Sequence, residues 1–325
     1  MNTIGNNTDY LPVIAKEAKH LRRSSFIEAN TENVTIDHLI NDCVVPVFSK
    51  DNEITISHSS FIEAIVDAAR SYFRSEYIEA PEIRVSHIIK GRIPEAIYKP
   101  VNQLLESDKT IYYERMAFVF EIPGIYKYVD GNKLTLSIGG VRSYNLENLY
   151  SRKGFEKFKI FIGFKNLVCC NLCVSSDGYI SELKVTDSRD LYKSALELFN
   201  SYNIDAHINL LSQLKEQYLS ENQFCQIIGR MRLYQNLPQS RQRQIPRMLM
   251  TDSQINQVAK SYINDYNFKG SNSQISVWKF YNLLTGANKS SYIDSFLDRS
   301  LNAIEISKGI NQALKGDDLY SWFLK

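Results

Sequence analysis

The chain has 325 residues, 44% of them hydrophobic and 23% charged, and a formal net charge of +2. That is the composition of a soluble globular protein with a substantial core, and the near-neutral total excludes a histone-like, nonspecific duplex binder. No apolar run approaches the ~20 residues a membrane helix needs. The opening MNTIGNNTDYLPVIAKEAKHLRRSS lacks the apolar stretch of a signal peptide.

Residues 1–40 are polar and weakly patterned, and read as an N-terminal arm. Residues 41–187 are expected to form an α+β sheet region. CVVPVFSKDNEITIS reads as an extended segment broken by Pro46 and turned at Asp51-Asn52. SSFIEAIVDAARSYF follows as an amphipathic helix with Ser60 and Glu63 as a capping box. From about residue 111 the period changes to two. IYYERMAFVFEIP is a strand, YKYVDGNKLTLSIGGV a hairpin turning at Asp130-Gly131, and FEKFKIFIGF and LVCCNLCV two more strands. A final strand follows the Asp177-Gly178 turn. Gly139-Gly140 predicts a bulge or a close backbone approach.

Residues 188–325 are helical in period throughout, with Ser, Thr or Asp at several starts. The fold class is therefore α+β: an antiparallel β-meander in the middle of the chain packed against a largely helical C-terminal half. The expected arrangement is one compact unit with helices on one face of the sheet.

Cys169, Cys170 and Cys173 lie in LVCCNLCV, while Cys43 and Cys225 stand alone. Five cysteines so distributed make no disulfide framework, and a reducing cytoplasm is the compartment they predict. A four-ligand zinc site needs a second ligand pair, and the five histidines are scattered singly. Small buried thiols in a packed strand are the expectation, with no metal and no cofactor. No phosphate loop, zinc-protease helix, nucleophile elbow or paired-carboxylate signature appears. His58, just before a capped helix, is either a base or part of the helix start.

The most unusual chemistry lies in NQFCQIIGRMRLYQNLPQSRQRQIPRMLMTDS. No acid occurs between Glu221 and Asp252, and Arg230, Arg232, Arg241, Arg243 and Arg247 fall inside. Residues 226–325 as a whole carry 13 Lys/Arg against 7 Asp/Glu. The planar guanidinium fork suits phosphate oxygens, and Tyr234, with Gln and Asn neighbours, offers a stacking ring and base-edge contacts. Pro238 and Pro246 bracket an expected exposed loop. The competing expectation is that these arginines pair with acids of residues 1–100, which carry 11 Lys/Arg against 14 Asp/Glu.

Taken together, PVFSKDNEITISHSSFIEAI, GFKNLVCCNLCVSSDG and VWKFYNLLTGANKSSYIDSFLDRSLNA resemble a family catalogued as domain of unknown function 3871, from about Asp42 onward. LVCCNLCV is also similar, at Val168, Cys169 or Cys170, and Asn171, to the broader phage/plasmid-like domain of unknown function 932. The resemblance implies mobile elements of Bacteroides-type bacteria, and no activity transferable residue by residue. By analogy of fold alone, an antiparallel sheet followed by helices is compatible with single-strand annealing proteins.

The leading expectation is a DNA-binding accessory protein of a mobile element, with single-stranded DNA as ligand for binding or annealing. It would use Arg230, Arg232, Tyr234, Arg241, Arg243 and Arg247, with Tyr262 or Tyr266 as further stacking rings. Two alternatives stand beside it. One is a homo-oligomeric or partner-docking structural protein using Trp278, Tyr281, Trp322 and Phe323. The other is an enzyme with an unrecognised site around His58, His87 or Asn171.

Overall fold

The computed structural model describes residues 25–43, 55–96, 98–144, 155–265 and 274–325. The expectations at Pro46, Asp51, Asn52 and Tyr266 lie outside these. The β-period in the middle of the chain becomes an antiparallel meander of β2 (Glu82–Arg92), β3 (Lys109–Val129), β4 (Asn132–Ser143) and β5 (Glu156–Asn166). A short β1 (Glu32–Val34) pairs with the outer edge of β2. The far edge of β5 is shared end to end by β6 (Leu172–Cys173) and β7 (Tyr179–Val185).

The predicted Asp130-Gly131 turn joins β3 to β4. Its two residues have φ of 49° and 76°, the double left-handed geometry of a tight hairpin. Gly139 and Gly140 lie in unbroken register with Val119 and Phe118, so the backbone approach is close and no bulge occurs there. The irregularity in this pair of strands falls instead between Ile122 and Tyr126.

Nine α-helices are present among the described residues. α1 (Ile36–Asn41) and α2 (His58–Tyr72) precede the meander. α3 (Ser188–Ser201), α4 (Ile204–Gln213), α5 (Glu221–Asn236), the single turn α6 (Gln239–Gln242), α7 (Asp252–Asn264), α8 (Val277–Asn288) and α9 (Ile293–Ala313) follow it. A small ribbon of β8 (Tyr218–Ser220) and β9 (Gln274–Ser276) interrupts the helical part. The start of α2 differs from expectation. Ser57, not Ser60, is the N-cap, its hydroxyl accepting the Ser60 N–H at 3.0 Å, and His58 opens the helix. The run Ser57-His58-Ser59-Ser60 offers hydroxyls at three positions, and the first reaches the orphan amide three residues on.

Strand alternation divides the apolar residues between two cores. On one face, Phe118, Phe120, Leu134, Leu136, Ile138, Ile160 and Phe164 pack with Phe61 and Ile65 of α2 and with most of the helical half. Each such side chain contributes roughly 1.5–3 kcal/mol by leaving water. On the other face, Ala117, Val119, Val141, Phe161, Leu172 and Val174 pack with Ile293, Phe296 and Leu297 of α9 and with Phe26 and Ile27. The sheet is thus covered on both faces, not one: its central strands carry apolar residues at both alternating sets of positions, and each set needs a cover.

Trp278, Tyr281 and Phe323 are enclosed in the first core, and Trp322 packs against it. These aromatics join the chain's own helices together. Among the described residues, no helix is long and apolar enough to cross a membrane.

Candidate functional sites: an arginine-bearing loop and an amide-lined cleft

The basic segment begins on α5, which Ser220 and Gln223 start as a reciprocal capping box. Pro238 ends it, and Gln242 reaches back to donate through Nε2 to the carbonyls of Tyr234 (2.9 Å) and Leu237 (3.1 Å). Gln235 donates to the Met250 carbonyl at 2.7 Å. Asn302 of α9 accepts the Leu249 N–H at 2.8 Å and donates to the Arg247 carbonyl at 2.8 Å. Met248 and Met250 are buried beneath. Several of the amides expected to read bases thus hold the loop to the scaffold.

The arginines divide into two groups. The guanidinium of Arg230 donates to the Lys325 carbonyl and lies 5.1 Å from the Trp322 ring centroid. Arg232 makes a two-pronged pair with Asp252 at 2.8 and 3.2 Å. Arg241, Arg243 and Arg247 are exposed, and no ion pair among the described residues engages them. None of the five is paired with an acid among the described residues of 1–100; Arg232 uses a neighbour in its own third of the chain. Tyr234 is buried, and Tyr262 is stacked on Phe224 with centroids 4.1 Å apart. The structure brings three arginines to one exposed loop and leaves both tyrosines inside.

The histidine reading fares differently. His58 is buried, donates through Nε2 to the Tyr113 carbonyl at 2.8 Å, and packs on Tyr144. Burial and the Arg142 charge push its pKa down to about 3 against the opposing Tyr113 hydrogen bond, so the ring is neutral and out of reach. His38 lies between Asp42 (2.8 Å) and the Tyr113 hydroxyl (3.1 Å), with Cys43 Sγ at 3.6 Å. Burial and the Asp42 charge raise that thiol to about 11, which removes a ready nucleophile. His87 sits exposed at φ 59°, where the β2–β3 pairing skips a residue. Among the described residues, no group of three or more His, Cys, Asp or Glu is placed to hold a metal ion.

The cysteine segment is not the strand expected. After β5 the chain turns at residues 167–170, with Cys170 at φ 57°, and only Leu172 and Cys173 form strand β6. The cause lies in Asn166 and Asn171. The Asn166 side chain accepts the Val168 N–H at 2.9 Å, and its backbone carbonyl accepts from Cys170 at 2.7 Å, fixing a local turn in place of a ladder. Cys170 and Cys173 are buried as expected, and burial lifts the Cys173 thiol to about 12. Cys169 is not enclosed: it lines an open cleft of about 630 Å³.

That cleft lies between the 166–171 turn and α8, and two of the segments that carry the family resemblance form it together. Asn171 donates through Nδ2 to Thr285 Oγ1 at 2.9 Å and to the Asn282 carbonyl at 3.2 Å. Asn166 reaches Asn282 Oδ1 at 3.4 Å, and Lys289 donates to the Cys169 carbonyl. Sequence reasoning missed this site. The available signal was spacing on an otherwise enclosed helix: Asn282 and Gly286 recur about one turn apart on α8, and Lys289 follows as its C-cap.

Residues 8–324 match the family model described as "Domain of unknown function, B. Theta Gene description (DUF3871)". The chain belongs to this family. No curated protein and no solved structure matches it. For this DUF3871 member, the match takes in the sheet, the arginine loop and the cleft alike.

Proposed function

We propose that this DUF3871 protein binds nucleic acid through Arg241, Arg243 and Arg247, as a cytoplasmic DNA-binding accessory protein of a mobile element. The observation that carries the reading is the exposure of three arginines on one loop of an acid-free segment, free of ion pairs to described residues while the loop itself is strapped down. Guanidinium groups carried on a fixed backbone meet phosphate oxygens without the further cost of ordering the loop. Arg230 and Arg232 stand at the margin of this surface, and Tyr234 supports it from within. The mobile-element setting rests on the sequence resemblance to the phage/plasmid-like family. Single-stranded DNA is the favoured ligand, since Arg241, Arg243 and Arg247 lie on a single helical turn and the loop after it, not on a helix long enough to enter the major groove.

Fluorescence anisotropy with short single- and double-stranded oligonucleotides at two salt concentrations tests this. The expected result is tighter binding of the single strand and a steep loss with salt. Replacing all three arginines by Gln should flatten the salt slope by about two, at roughly 0.7 per phosphate released. Absence of binding to either strand at low salt removes the proposal.

A further inference from the structure

We infer that the outer edge of β7 pairs with the same edge of a second copy of this chain, joining two sheets antiparallel across a two-fold axis. β7 is bonded to β5 on one side only. No hydrogen bond among the described residues engages the outward backbone groups of residues 181–184, and Ser181, Glu182 and Lys184 are exposed. An edge of this kind is a template for another strand unless its side chains refuse one.

The charges on this edge admit one arrangement. The register of the sheet sets Lys184 directly across from Lys157 of β5, an unfavourable like-charge pair. Glu182 lies between them: Lys157 reaches its Oε1 at 3.0 Å, and Lys184 reaches the same oxygen at 3.6 Å. No ion pair among the described residues uses Oε2, and the Glu182 and Lys184 side chains are 51% and 50% exposed. A second β7 laid antiparallel, with Leu183 opposite its own counterpart, places Glu182 of each chain across from Lys184 of the other. Each Lys184 then gains a directly opposed carboxylate that its own sheet does not supply.

Other registers are penalised. Sliding by two residues sets Glu182 against Glu182 or Lys184 against Lys184, and sliding by one sets Leu183 against a charge. The bulge that opposes residues 181 and 182 to Lys159 alone twists the edge, which discourages strands lacking this pattern. The opposite margin of the sheet has no such self-complementarity. There the stretch of β2 beyond β1 carries Lys90 and Arg92 and no acid, so two copies would meet with like charge. The β7 edge takes in no residue of the arginine loop and none of the aromatics Trp278, Tyr281, Trp322 and Phe323.

Sedimentation velocity of the full chain from about 1 to 200 µM tests the inference. The paired edge is short, so a monomer–dimer equilibrium is expected within that range. Glu182→Lys and Lys184→Glu each bring like charges opposite one another, and each should weaken the dimer by about tenfold or more, with circular dichroism unchanged. Mixed in equal amounts, the two variants present opposite charges to each other, so dimers should return. The double variant Glu182→Lys with Lys184→Glu should dimerise by itself. A parent chain still monomeric at about 200 µM overturns the inference, as do single variants that dimerise like the parent. A mixture or double variant that stays monomeric, or assemblies that grow beyond the dimer, overturns it equally.

Discussion

The guanidinium of Arg142, fully enclosed in strand β4, bonds to the carboxylate of Glu156 at the start of β5 and to the carbonyl of Ile56. It also lies 4.3 Å from the Tyr144 ring centroid and 4.5 Å from that of Phe158. A charge so placed depends on its partner. Glu156→Ala is expected to cost about 3–5 kcal/mol in urea unfolding, because it strands a buried cation. Pairing it with Arg142→Met should recover part of that loss; a double variant no more stable than Glu156→Ala alone would contradict this account.

The two buried imidazoles set a direction for acid sensitivity. Burial lowers His58 to about 3 and His207 to about 4, the latter against the opposing charge of Asp177. As pH falls below about 6.5, the unfolded chain gains protons that the folded rings refuse. Stability is therefore lost from there down toward the folded values, by about 1.4 kcal/mol per pH unit for each ring. His207→Asn, which keeps an acceptor for the Tyr202 hydroxyl 2.7 Å away, should reduce the slope of unfolding free energy between pH 6 and 5. An unchanged slope would show that His207 does not titrate as described.

Gly140 tests the close packing of α2 on the sheet. A Cβ there would come within 2.5 Å of the Phe61 ring and 2.8 Å of the Lys159 carbonyl oxygen. Gly140→Ala is expected to destabilise by about 1–3 kcal/mol, read as a lowered thermal midpoint. A neutral substitution would mean that α2 can withdraw from the sheet without loss.

The thiols should label in a fixed order. Cys225 is exposed, Cys169 is part-buried in the cleft, and Cys43, Cys170 and Cys173 are buried. Peptide mapping after brief alkylation of the native protein is expected to find Cys225 modified first and Cys169 next. The remaining three should react only on unfolding. Early modification of Cys173 would place β6 outside the packed interior.

Much of this architecture could be read from residue order, because strand and helix periods are local. The Asp130-Gly131 hairpin, the alternation of Leu134, Leu136 and Ile138, and the helical stretches beyond Asp187 all appear where their patterns lie. The failures occur where side chains compete with the backbone. Asn166 and Asn171 convert an apolar run into a turn, and Ser57 displaces Ser60 as the helix cap. The exposed arginines were visible as composition, yet their division into engaged and exposed groups depends on Asp252, Trp322 and the 325 carbonyl. The cleft was invisible for a related reason: it exists only where Asn171 meets Thr285, more than a hundred positions further on.

The double covering of the sheet bears on how the protein is made. Phe161 and its neighbours on the second face wait for Ile293, Phe296 and Leu297, which emerge from the ribosome more than a hundred residues later. At about 5–20 residues per second, that surface stays bare for many seconds during translation. A nascent chain stalled before α9 would present a greasy, half-finished sheet to the cell, and chaperone dependence should concentrate in that interval.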